Sequence, residues 1–392
     1  MSLRLLAVFA PVLLLCFAAL AAEPARIVLR PPAVPLVVHD PYFSIWSFHD
    51  ELHQGWPRHW TGAIHALCGM ARIDGKAYRF MGIEPRDLPA MKQVGLQVLP
   101  TRTLYAFEAG GVRLTLTFAT PALPDDLDVL ARPVTYLTWE ARATDGRDHA
   151  VQLYYDNSAE LVVNGPDQPV TWSRVRLPGL QALRMGSQDQ PILAKDGDNL
   201  RIDWGHLHVA VPDGGGVSTV LTGHENARLG FAEKGALPNR DDLRMPRPAK
   251  DDWPVAAVAF DLGAVGAQPV ARHLLLAYDD LWSIAFLGKR LRPYWRRDRG
   301  DATLADAGDL LLAAARDYEA LVARCTKFDE ELMADLTKAG GDGYAQLCAL
   351  AYRQAIGAHK LTVSPDGRPM LFSKECFSNG CIATVDVAYP AS

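Results

Sequence analysis

Between residues 98 and 278 apolar and polar positions alternate with a period of two. Val112, Leu114, Leu116 and Phe118 are separated by Arg113, Thr115 and Thr117, which gives a strand one buried and one wetted face. Val151, Leu153 and Tyr155 repeat the pattern, as do Leu207, Val209 and Val211. Upstream, Ala71 to Met81 reads as a hairpin turning at Asp74-Gly75. Asp213-Gly214-Gly215-Gly216 reads as a further hairpin turn, because neither a helix start nor Lys-Ser/Thr follows to make an anion cradle. The period changes near Pro293. Leu304, Ala307, Leu311, Ala315, Tyr318, Val322 and Cys325 fall at helical spacing, and Gly340-Gly341 reads as a helix end. A second helix is expected over Asp342–Lys360, then a turn at Pro365-Asp366-Gly367 and an extended tail.

These periods predict a multidomain chain, β then α. A leader occupies 1–21, an aromatic-rich segment 26–97, an antiparallel β-sandwich 98–300 and a linker helix with one helical hairpin 303–392. A single α-hairpin cannot bury both of its faces, so the chain reads as truncated early in a larger helical domain. Tyr344, Leu347 and Leu350 are then expected to form an exposed apolar face.

Composition narrows the class. The 392 residues are 49% apolar and 22% charged, which excludes both a disordered chain and a polytopic membrane protein. The 31 glycines and 27 prolines favour a turn-rich β protein. A net charge of −5 without a long basic run argues against a nucleic-acid partner. Residues 1–22 place Arg4 ahead of the apolar run Leu5 to Leu20, and Ala19-Leu20-Ala21 suits cleavage near Ala21. That pattern implies a periplasmic or extracellular protein with no membrane attachment after cleavage. Five cysteines remain beyond the leader, and Cys376 and Cys381 flank a turn-forming tetrapeptide that suits either a bridge or two thiols.

Several motifs suggest chemistry weakly. His49-Asp50-Glu51-Leu52-His53 lacks the Glu that a zincin helix needs after its first His. His206 and His208 share a strand face, which a solvated surface explains as well as a metal does. Asp279-Asp280 ends an apolar run and reads as a cap before an acid-base pair. No cofactor or metal is called for. The C-terminal stretch is more informative. Lys374 and Glu375 stand among Leu371, Phe372 and Phe377, and Asp386 lies between Val385 and Val387. Charges in apolar text are costly unless they are paired or used. Arg353 with Asp386, or Lys374 with Glu375, would satisfy that as a structural ion pair.

At these residues the chain resembles the secreted glutaminase A family. The resemblance is carried by Ala351 to Lys360 and by the string from Phe372 to Pro390, with Cys376 and Cys381 departing from the family pattern. It extends through Tyr155 to Glu160, Tyr278-Asp279-Asp280 and His59-Trp60-Thr61-Gly62. The resemblance implies a β-sandwich followed by a six-hairpin α/α toroid, in a family that continues well past Tyr-Pro. It also implies hydrolysis of L-glutamine to glutamate and ammonia. Such chemistry needs a base for water, an acid for the leaving group and oxyanion donors. Glu375 is the candidate acid/base with Asp386 as its partner, and Arg353, Lys374 and Asn379 are candidate substrate contacts. The chain by itself is expected to be inactive, since one hairpin cannot enclose a substrate. The alternatives are a glycan-processing enzyme, whose substrate would stack on Trp46, Trp56 and Trp60, and a non-catalytic fragment.

Overall fold

The computed structural model describes residues 30–299, 304–375 and 380–383. Two antiparallel sheets form the body. The larger has nine strands, in the order Arg247–Pro248, Pro169–Leu177, Leu180–Ser187, His206–Pro212, Val270–Asp279, Val134–Ala143, Val112–Ala119, Arg102–Ala109 and Lys92–Val98. The smaller has five: Val217–Gly223, Pro254–Val265, His149–Ser158, Leu67–Ile73 and Lys76–Met81. The inward positions of both sheets make one core, in which the Trp139 ring lies 5.8 Å from Tyr155 and 5.7 Å from Phe260. The strand Val112–Ala119 buries Val112, Leu114, Leu116 and Phe118 and leaves the residues between half-exposed, as its period-two pattern requires. The protein is a β-sandwich followed by a helical segment.

Strands from the aromatic-rich segment belong to both sheets, so the sandwich begins before residue 98. The hairpin at Asp74-Gly75 forms as expected, with φ of 48° and 85° at its two turn residues. The glycine cluster 214–216 departs from expectation. It joins His206–Pro212 to Val217–Gly223, which lie in different sheets, and is therefore a crossover between layers. The helix His224–Lys234 covers the outer face of the smaller sheet through Ala227 and Phe231 against Tyr154, Met70 and Ala257.

The helical segment Leu304–Gly357 is broken at Gly341, where φ is 81° and ψ is 176°. Its first part packs Leu310, Leu311, Ala314 and Leu321 on Tyr136, Ala182, Ala210 and Leu275 of the larger sheet. The histidine pair departs from the solvated reading: His206 is half-buried, and His208 is buried with neither ring nitrogen hydrogen-bonded, and burial pushes its imidazole down to about 3. The second part ends at Gly357, three residues earlier than expected, and leaves Tyr344 and Leu347 about half exposed at 48% and 58%. Lys360 instead opens a hairpin, His359–Val363 with Pro369–Ser373, that joins Ile284–Phe286 and Lys289–Pro293 in a four-stranded sheet. Among the described residues no helix is long and apolar enough to cross a membrane.

Candidate functional site

The C-terminal hairpin delivers the charged pair singled out in the sequence. Its second strand ends at Ser373, the Lys374 amide donates to Ala358 O at 2.9 Å, and the Glu375 amide donates to Cys381 O at 3.1 Å. Lys374 is buried, at 2% exposure, whereas Glu375 is half-buried. Lys374 Nζ donates to Glu375 O at 3.0 Å, reaches Asp198 Oδ1 at 3.3 Å and lies 5.3 Å from the centre of the Trp60 ring. Gly380 backs directly onto Gly197. A Cβ at Gly380 would lie 2.5 Å from the Gly197 carbonyl carbon, so only glycine permits this approach of the two loops.

Two loops complete the surroundings. In the loop 59–62, His59 Nε2 and Trp60 Nε1 both meet Pro41 O, at 3.2 and 2.6 Å, and His59 Nδ1 meets Thr61 Oγ1 at 3.0 Å. In the loop 197–201, Arg201 donates from Nη1 to Thr61 Oγ1 at 3.2 Å and to Asn199 Oδ1 at 2.9 Å, and from Nη2 to Asn164 O. Burial, followed by the charges of His65, Arg201 and Lys374, holds the His59 imidazole well below its ordinary value. Burial and Arg201 likewise push His65 down to about 3. Both imidazoles are therefore neutral at pH 7, and the cations Lys374 and Arg201 face them.

On the first strand of the same hairpin, at Lys360, three buried charges meet. Lys360 Nζ lies 2.7 Å from Asp40 Oδ2 and 2.8 Å from Asp280 Oδ2. Burial alone would lower the Lys360 pKa, but Asp280 and Asp40 outweigh it and raise it above the ordinary lysine value. This triad frames the site. Asp40 starts the turn that carries Pro41, Lys360 lies on the strand paired with the one leading to Lys374, and Asp280 O accepts from Trp204 Nε1. Trp204 follows Arg201 by three residues.

The sequence-based candidates separate. Lys374 and Glu375, adjacent in the chain, follow the end of the hairpin strand, with Lys374 Nζ on the Glu375 carbonyl and Asp198. Arg353 does not join them: it is buried between helix and sheet, with Nη1 3.4 Å from both Leu99 O and Thr103 Oγ1. Its burial brings the guanidinium down to about 10, and its Nη2 is buried without a hydrogen-bond partner. Asp386, Asn379 and Cys376 lie outside the described residues. Asp279 is held by Arg296 and Asp280 by Lys360, so this pair is structural. Trp46 and Trp56 are each 7% exposed, which removes two of the three rings proposed to stack a sugar. His53 Nε2 pairs with Glu51 at 3.3 Å. Among the described residues no group of three His, Cys, Asp or Glu is placed to hold a metal ion. Asp198 and Arg201 carried no signal in the sequence, because they stand in a loop without periodicity, far along the chain from Trp60 and Lys374.

Three family models match the chain. Two are domains of unknown function, DUF4964 over residues 10–93 and DUF5127 over residues 101–335. The third is the Glutaminase A six helical-hairpin domain, over residues 341–392. Each supplies part of the site: Trp60 and Thr61 from the first, Asp198 and Arg201 from the second, Lys374 and Glu375 from the third. A protein named Glutaminase A from Aspergillus oryzae is 30% identical over 377 residues, covering 92% of this chain and 53% of that protein. A "Probable glutaminase" from Arthroderma benhamiae is 26% identical over 405 residues, covering 93% and 44%. The chain thus spans about half the length of the curated relatives it matches.

Proposed function

The chain belongs to the glutaminase A family, and from that premise we propose that it takes part in hydrolysing the side-chain amide of L-glutamine to glutamate and ammonia. The observation that carries this reading is the seat of Lys374, next to Glu375 in the chain, with its Nζ 3.3 Å from Asp198 Oδ1 and 5.3 Å from the centre of the Trp60 ring. In the proposed reaction Glu375 removes a proton from water as its oxygen bonds to the amide carbon. Lys374 offers its ammonium to the oxyanion that forms. The carbon–nitrogen bond then breaks as the proton passes to the leaving nitrogen. Asp386 and Asn379, outside the described residues, keep their sequence-based roles of partner carboxylate and substrate contact. We further propose that the protein is exported, a reading supported by Arg4, the run Leu5 to Leu20 and the small residues before Ala21.

Exported protein spanning the relatives' full length should release ammonia from L-glutamine, with an intact mass that lacks the leader, whereas residues 22–392 alone should release none. Glu375→Gln should lower kcat by about 10²–10⁴-fold, the usual contribution of a general acid-base group. A variant within about threefold of the parent, well short of that range, would make Glu375 structural. Sugar release from a glycan panel, with no ammonia from glutamine, would overturn the glutamine reading.

A further inference from the structure

A lysine ammonium ends a flexible four-carbon stem, so its place is set by what surrounds it. Lys374 is 2% exposed. Its Nζ meets Glu375 O at 3.0 Å, Asp198 Oδ1 at 3.3 Å and the face of Trp60, 5.3 Å from the ring centre. An aromatic ring attracts a cation within roughly 6 Å of its centre, and more strongly when the cation is withdrawn from water. Ring–cation pairs recur in this fold, as at Arg247 over Trp172 and Arg292 over Trp282. The pair at Trp60 matters because its cation is the one proposed above to meet the oxyanion.

The indole is itself held in place. Trp60 Nε1 donates to Pro41 O at 2.6 Å, and His59 Nε2 lies 3.2 Å from the same oxygen. A carbonyl oxygen only accepts, so the neutral His59 carries its proton on Nε2. Its Nδ1 then accepts from Thr61, whose amide nitrogen is 3.3 Å and whose hydroxyl oxygen is 3.0 Å away. Pro41 is fixed in turn by its neighbour. Asp40 Oδ1 accepts from the Tyr42 and Phe43 amides at 2.8 and 3.0 Å, and Asp40 Oδ2 accepts from Lys360 Nζ at 2.7 Å. Lys360 and Lys374, both at the open end of the C-terminal hairpin, are thus tied to one turn of the first hairpin. Lys360 reaches it through Asp40 and Lys374 through Trp60.

We infer that Trp60 is a positioning residue: its fixed ring face sets where the Lys374 ammonium stands as the oxyanion forms. The reaction rests on the glutamine reading above; the role of Trp60 rests on its contact with Lys374. A misplacement of about 1 Å can cost ~10²-fold in rate. In protein spanning the relatives' full length, Trp60→Leu should lower kcat on L-glutamine about tenfold and leave KM within about twofold. Trp60→Phe keeps a ring face without the Nε1–H and should lower kcat only about threefold. A kcat within about twofold of the parent in folded Trp60→Leu, a KM that rises as far as kcat falls, or Trp60→Phe no better than Trp60→Leu would overturn the inference. If Trp60→Leu fails to fold, Trp60→Phe decides in its place, and an unchanged kcat there overturns it. A second measurement needs no turnover. In the full chain labelled with fluorotryptophan, the Trp60 signal is the fluorine resonance missing from Trp60→Phe, and Lys374→Met should move it. A resonance that stays in place would also overturn the inference. Loss of the glutamine reading looks different: the parent releases no ammonia, while the Trp60 resonance still responds to Lys374→Met.

Discussion

His149 shows how single residues tie the loops of this sandwich together. Its Nδ1 lies 2.7 Å from Asp74 Oδ2 and its Nε2 lies 3.0 Å from Asp145 Oδ1, with only 5% of the side chain exposed. Hydrogen bonds to Asp74 and Asp145 raise its pKa, and burial opposes them less strongly. A raised folded-state pKa means that folding takes up a proton. The stabilisation is therefore complete below the ordinary value near 6.5 and is lost as pH rises through the folded value. Urea unfolding of the parent and of His149→Gln should show the widest stability gap at pH 5 and a narrow one at pH 9. A gap independent of pH would contradict this account. At this scale the sequence was informative where charge interrupts apolar text, as at Lys374-Glu375, because burial of charge leaves a local mark. The same signal grouped Arg353 with them, whereas the structure buries it apart, against Leu99 and Thr103, since periodicity cannot show which charged residues share a place.

At the scale of elements, periodicity carried most of the fold. The strand Val112–Ala119 follows from spacing alone, and the break at Gly341 from the glycine pair that ends the helical spacing. At Gly341 the backbone has φ of 81° and ψ of 176°, and an added Cβ would meet nothing within 4 Å. Gly341→Ala should therefore cost about 1–3 kcal/mol from backbone strain alone, measured by urea unfolding. A loss below about 0.3 kcal/mol, well under that range, would show that the two helices run on without this break. Spacing could not show which layer a strand joins. The glycine cluster 214–216 has the composition of a hairpin turn, yet it crosses between sheets. The covering of Ala210, on the strand of His208, likewise depends on a helix about 100 residues further along the chain, at Leu310 to Ala314.

For the whole molecule the decisive contact is Lys360 with Asp40 and Asp280. It joins the first hairpin, Val34–Asp40 with Phe43–Ser47, to the end of the strand Val270–Asp279 and to the C-terminal hairpin that carries Lys374. Lys360→Met keeps the length of the side chain but leaves two buried carboxylates without their cation. Removing one partner from such a buried cluster should cost about 3–5 kcal/mol. Urea unfolding at pH 7 checks this, and a loss under about 1 kcal/mol, the worth of a surface pair, would show that the triad adds little. Nothing in the sequence near Lys360 announces this role, because its partners lie in segments with no local relation to it.

The triad also has a consequence for biosynthesis. Asp40 and Lys360 are 320 residues apart, and a chain leaves the ribosome N-terminus first at about 5–20 residues per second. Roughly 16–64 s therefore pass between the appearance of the aspartate and that of its cation. Through that interval the first hairpin has its carboxylate but no ammonium to set against it, however early the strands around it pair. The final docking of the emerging polypeptide thus waits for a residue made late, and Lys360 serves as the signal that nearly all of the described fold has been delivered.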